Sequence, residues 1–363
     1  MSLFRRPSVA PLPMIVIAIA LALPWVSGCQ DDARTVHREL PAAQPAQAVS
    51  RLVEDLRRDD LDAYARHAVP PALHARLDSA WREGRSRWPL TGLPLHARLP
   101  GLLTTLAAPD AEKALLSTYE RQFAGAGAGR ELRSAAATMG LFAGQYLRRE
   151  GDYSDDERAH YIQLAAALSQ WGQRAPLHDA RLARMAIPLL VSGARLTGLG
   201  GGGADPERVG DASRGERTAG ARPPRVGAAA DSRATGDARR TPSARTDVPG
   251  SEPFGALGMA RSLRRLSPFF GRTKRVLVAY GLDLDAALGS VRLETIEQAG
   301  DTARVRLRYT IAGRAIDARL ALQRIDGQWY LRDVLRHAAT QADAPAAAST
   351  AVASSTVAPR RVD

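Results

Sequence analysis

The sequence predicts an α+β protein: a mostly helical N-terminal region and a C-terminal four-stranded antiparallel meander, interrupted by a disordered insert. Three observations carry this. Apolar residues recur every three or four positions from Ala48 to Leu196, the spacing of one helix face. From Val291 the period changes to two, the spacing of a strand with one buried face. Between them, Leu199 to Gly250 has no aromatic residue, a run of glycine at Gly200 to Gly203 and scattered proline, so it buries too little apolar surface to offset its ordering entropy.

The helical region (48–196) begins with Val49, Leu52, Val53 and Leu56, continues with Leu61, Tyr64 and Ala65, and stops at Pro70-Pro71. A helix over about Ala72 to Trp81 follows. Trp88 to Pro100 holds three prolines and reads as a loop. Asp110 opens a helix carrying Leu115, Leu116, Tyr119 and Phe123, which ends in the glycine-rich stretch Gly125 to Gly129. The next runs from about Arg130 to Arg149, with Leu132, Ala136, Met139, Phe142 and Tyr146 on one face. Ser154-Asp155-Asp156-Glu157 fits a capping box, in which Glu157 reaches back to the start of a helix displaying Tyr161, Leu164, Leu168 and Trp171 and ending at Gly172. Asp179 to Leu196 is a last helix, bent at Pro188.

Past the insert (197–253), the segment 254–338 carries helical patches at Met259 to Leu266 and Thr273 to Tyr280, and a capped turn at Asp283 to Leu288. Strands follow from Val291/Leu293, from Ala303 to Tyr309, from Ile316 to Leu322 and from Trp329 to Leu335. Gly300-Asp301, Ala312-Gly313 and Asp326-Gly327 are the turns, the last a strong hairpin signature. Residues 339–363, rich in Ala, Ser, Thr and Pro, read as a disordered tail.

The first 28 residues have the organisation of an export signal. Arg5-Arg6 is a positive start and Met14 to Leu23 an apolar run too short to span a bilayer comfortably. Val26-Ser27-Gly28-Cys29 then resembles the bacterial lipobox, in which a cysteine receives diacylglycerol on its sulfur before cleavage ahead of it. The resemblance implies a lipid attachment at Cys29, a tether over 29–47 and a membrane partner through the acylated N-terminus. Gln30, rather than Asp, after the cysteine favours the outer membrane over inner-membrane retention, with Asp31 and Asp32 one place later. This Cys29 is the only cysteine of 363 residues, which excludes a disulfide framework or a multi-cysteine metal site within the chain.

The formal charge of +12 ordinarily suggests a polyanion partner. Of the 50 basic residues, however, only Lys113 and Lys274 are lysines, which reads as coding bias, and arginine alternates with acid along most of the chain, the insert included. No nucleic-acid partner is expected. One stretch differs: Phe254 to Tyr280 holds Arg261, Arg264, Arg265, Arg272, Lys274 and Arg275 and no acid. Such a face suits an anionic headgroup surface, although a helix packing its apolar side on the sheet and solvating its basic one is the more ordinary outcome.

No nucleophile elbow, phosphate loop, paired metal-ligating histidines or dinucleotide fingerprint occurs, so no catalytic residue, metal ligand or cofactor is assigned. His160 lies behind Asp152, Asp155, Asp156 and Glu157, but helix capping accounts for that acid cluster. Tyr309 and Trp329, on the apolar face of the sheet, are candidates to line a pocket, with ordinary core the competing reading.

Ala48-x3-Leu52 leading into Arg58-Asp59-Asp60-Leu61-Asp62-Ala63-Tyr64, together with the terminal Asp326-Gly327-Gln328-Trp329-Tyr330-Leu331, resembles the start and end of proteins with the nuclear-transport-factor-2-like cone fold. The whole chain resembles uncharacterised proteobacterial lipoproteins. The anchor, the helical region and the absence of catalytic motifs point to a lipid-anchored, non-catalytic envelope protein that faces the periplasm and acts through contacts with an envelope protein partner. Two other classes stay open: a binding module with an apolar or anionic ligand in a cone-like pocket, and an acid/base enzyme, which requires two ionisable groups meeting in one cleft.

Overall fold

The computed structural model describes residues 44–93, 96–123, 125, 127–199 and 257–345. The segment expected to be an export signal, Cys29, residues 200–256 and residues 346–363 lie outside them. The helices are α1 (Pro45–Arg57), α2 (Leu61–Ala68), α3 (Pro71–Arg82), α4 (Leu99–Ala107), α5 (Ala111–Phe123), α6 (Ala128–Arg149), α7 (Asp155–Arg174), α8 (Ala180–Thr197), α9 (Met259–Ala279), α10 (Leu284–Gly289) and α11 (Arg332–Ala342). The strands are β1 (Arg292–Ala299), β2 (Thr302–Ile311), β3 (Arg314–Ile325) and β4 (Gln328–Leu331), a sequential antiparallel sheet. The mainly helical first half and terminal meander are those the sequence predicts.

Local chemistry sets many of the helix starts. Pro45 and Pro71 occupy first-turn positions, where the missing N–H has no partner to lose. Asp60, Ser154, Asp179 and Asp283 each accept a bond from a first-turn backbone N–H. In the sheet, Ala312-Gly313 and Asp326-Gly327 join paired Ile311/Arg314 and Ile325/Gln328, and all four turn residues have positive φ. These are two-residue hairpin turns of the twist-compatible kind.

One hydrophobic core draws on both halves of the chain. Val305, Leu307, Tyr309 and Ile311 of β2 and Ile316, Ala318 and Leu322 of β3 face inward, onto elements that include α1, α7 and α10. Their alternates Arg304, Arg306, Arg308, Asp317 and Arg319 form the outer face. Behind the inner layer, α9 packs against α2, α3 and α8, and α8 against α4 and α5. Beyond the short β4, the Gln163 side-chain amide both donates to the Asp317 carbonyl (2.8 Å) and accepts from its N–H (3.1 Å), closing an edge site of β3.

Several elements differ from expectation. The tether ends at Gln44, because α1 already starts at Pro45. Leu99–Ala107 is a helix: Pro100 sits in its first turn, where proline is compatible with helix. Gly172 lies inside α7, which continues to Arg174. The insert starts later, since Thr197 closes α8, Gly198 caps it in the left-handed region and Leu199 is buried. The two helical patches after the insert are one helix, α9, continuous through Pro268, with Leu263, Leu266, Phe269 and Phe270 buried around it. Finally, the fourth strand stops at Leu331. Arg332 to Ala342 is helical, overturning both the strand expected to Leu335 and the tail expected from residue 339.

Candidate functional site

A cavity of about 630 Å³ lies where α2, α6, α7, α11 and the loop after α3 meet. Its walls carry Tyr64 from α2, Trp88 and Leu93 from the loop, Tyr146 and Leu147 from α6, Tyr153 from the α6–α7 turn, Glu157 and Tyr161 from α7, and Val334 and His337 from α11. Helical spacing explains the α7 contribution: Glu157, Tyr161, Leu164 and Ala165 fall on one face. The size and the mixture of apolar and aromatic surface with polar groups are compatible with a small-molecule site.

The polar wall is built around Glu157, whose side chain is 8% exposed. Arg336 Nη2 donates to Glu157 Oε2 at 2.8 Å, and His337 Nε2 lies 2.9 Å from Oε1. Arg336 also reaches the Asp152 carboxylate (2.6 Å) and the Asp333 carboxylate (3.3 Å). Ser154 joins the same cluster twice, accepting from the Glu157 N–H (3.2 Å) and donating to Asp333 (2.9 Å). Glu157 therefore does not complete the expected capping box; its carboxylate clamps α11 to α7 instead. Burial, followed by the charge of Glu157 and a bond to it, raises the Tyr161 hydroxyl well above its ordinary pKa, so it stays a neutral phenol.

Two ionisable groups, Glu157 and His337, thus meet on one cavity wall. Both Glu157 oxygens are already engaged by Arg336 and His337, which makes this carboxylate a clamp more than a free base. Among the described residues, no group of three or more His, Cys, Asp or Glu side chains is placed to hold a metal. None of the described helices is long and apolar enough to cross a membrane.

No family model, curated protein or solved structure matches this chain. What can be said of the site therefore comes from its own residues.

The sequence-predicted candidates lie elsewhere. Tyr309 is 3% exposed and Trp329 2% exposed, and neither lines this cavity. Tyr309 is a core residue whose hydroxyl is hydrogen-bonded to His160 Nε2 at 2.9 Å; Trp329 lies under the Arg324 guanidinium. Of the basic set on α9, Arg261, Arg264 and Arg275 are exposed and Arg265 and Arg272 half-buried, all on one stripe. Lys274 does not belong to it. It is buried, with Nζ 2.5 Å from Asp59, 2.6 Å from Asp285 and within reach of the Leu56 and Arg57 carbonyls, because an ammonium under the helix layer needs compensating charge and acceptors. Val26, Ser27, Gly28 and Cys29 lie outside the described residues.

The cavity residues themselves had weak signals. In the sequence Glu157 reads as a capping residue, and Arg336 and His337 follow a strand-like pattern, Trp329 to Leu335, that hides the start of a helix. A usable hint was Asp333/Arg336, an ion pair three residues apart that only a helix brings together.

Proposed function

We propose that this chain is a lipid-anchored cell-envelope protein whose periplasmic body is a binding module for a small molecule. The observation that carries the binding reading is the aromatic-lined cavity of about 630 Å³ between α2, α6, α7 and α11. The anchor is supported by the lipobox-like Val26-Ser27-Gly28-Cys29 and by the shortness of the apolar run before it; Gln30 favours the outer membrane. Helices α1 and α2 at the start and the four-stranded meander at the end support the nuclear-transport-factor-2-like resemblance, with α4 to α9 intervening.

The neutral dye N-phenyl-1-naphthylamine, which fluoresces in apolar surroundings, is expected to bind saturably to the wild type. Ala143, on the α6 wall, is open enough to be replaced. Ala143→Trp is expected to fill the space and abolish the enhancement while circular dichroism stays unchanged; undiminished dye binding in this variant would refute the site. The anchor has its own test. Cys29→Ser is expected to abolish metabolic palmitate labelling, because a hydroxyl does not replace the thiol as acceptor of the diacylglyceryl group. Undiminished label in the serine variant would sink the lipoprotein reading.

A second reading, action through an envelope protein partner, is supported by one feature of α6. That helix touches α7 through small residues: a Cβ at Gly140 would collide with Ser169, whose hydroxyl donates to the Ala136 carbonyl. Its other side leaves Leu141 58% and Phe142 64% exposed, the kind of surface that partners cover.

A further inference from the structure

Resting on the binding reading above, we infer that the ligand of this cavity carries a positively charged nitrogen, as an alkylammonium group. The chain bears a net charge of +12, yet among the described residues no arginine or lysine lines the cavity. The acids on its walls are Asp152 and Glu157. Together with Asp333 they share one guanidinium, that of Arg336, which sits behind the wall and pairs with all three. Counting the Arg158 guanidinium over Tyr153 as well, three carboxylates meet two guanidinium groups, which leaves one negative charge in excess and favours a cation over an anion.

The rings on the same wall add to this. Tyr153 meets Tyr161 edge-on, with centroids 5.4 Å apart and planes at 83°, and meets His337 at 6.4 Å and 63°. Rings at such angles form a corner whose π faces point in different directions, and each tyrosine face carries partial negative charge. Aromatic faces of this kind attract quaternary ammonium groups. Tyr153 already accepts one cation, the Arg158 guanidinium 5.9 Å from its centroid. A neutral ligand draws on the apolar walls and on the hydrogen-bonding groups Thr91, Thr340 and Gln341; an ammonium draws on the carboxylates as well.

The test compares two molecules of nearly one shape, choline and its carbon isostere 3,3-dimethylbutan-1-ol, titrated by calorimetry into the full protein in maltoside detergent. Dye binding is measured separately. Choline is expected to bind at least about tenfold more tightly than the isostere, and Tyr153→Leu is expected to weaken choline far more than the isostere, which brings the two affinities together. Equal affinities in the wild type, or a bound dye with no choline binding, would overturn the charge inference and leave the cavity reading standing. Absence of both dye and choline binding would overturn the two together.

Discussion

Replacing Leu307 by alanine is expected to lower the unfolding free energy by about 2–5 kcal/mol. Leu307 is fully buried on the inner face of β2, opposite Ala318 on β3 and Leu293 on β1, and belongs to the single core shared by sheet and helices. The small Ala318 across from it has no bulk to refill the space, so a cavity remains as well as the lost transfer energy. Its chain neighbour is the control. Arg306 sits on the outer face and forks Asp317 with contacts of 3.0, 3.2 and 2.5 Å, but both side chains are more than 40% exposed. Exposed pairs of this kind add little net stability, so Arg306→Ala should change it little. Chemical denaturation of both variants measures the difference. A one-residue slip of β2 would exchange the two faces, and a more damaged arginine variant would show that slip.

This contrast is legible in the sequence because a strand writes its two faces as alternate letters. Val305, Leu307 and Tyr309 against Arg304, Arg306 and Arg308 leave one register, and Asp326-Gly327 fixes where the chain reverses. Pro100 suggests a loop in the sequence although the first turn of α4 accommodates it, and the two helical patches on either side of Pro268 are one helix, α9. An interior proline costs a helix about 3 kcal/mol, and the burial of Leu263, Leu266, Phe269 and Phe270 on either side offsets that. Periodicity reports local preference, and only the packed neighbours decide whether it prevails. The cavity was illegible for a related reason. Tyr64, Trp88, Tyr153, Tyr161 and His337 come from distant parts of the chain, so no spacing connects them until α11 forms and Arg336 closes on Glu157.

Lowering the pH is expected to destabilise the protein through His160 before the bulk of its carboxylates titrate. His160 is 5% exposed, beside the Tyr309 hydroxyl in the core. Burial, only partly opposed by the charge of Glu157, lowers its pKa from an ordinary 6.5 to about 4. In the unfolded chain the same imidazole takes up a proton near 6.5. Above that pH neither state is protonated and the native state keeps its full stability. As the pH falls from about 6.5 towards 4 the unfolded state binds a proton that the native state refuses, so stability declines; below about 4 both are protonated and the decline stops. The loss across this window is on the order of 3 kcal/mol. His74, half-buried, is also lowered by burial and contributes in the same direction, so the wild-type curve alone does not isolate His160. His160→Gln does, because glutamine keeps a hydrogen-bonding partner for Tyr309 and has no proton to gain. Denaturation of the two proteins at a series of pH values should give curves that converge towards acid, the wild type losing its extra dependence between about 6.5 and 4. Parallel curves over that range would mean that His160 is charged in the native core, and that its contact with Tyr309 differs from the one described.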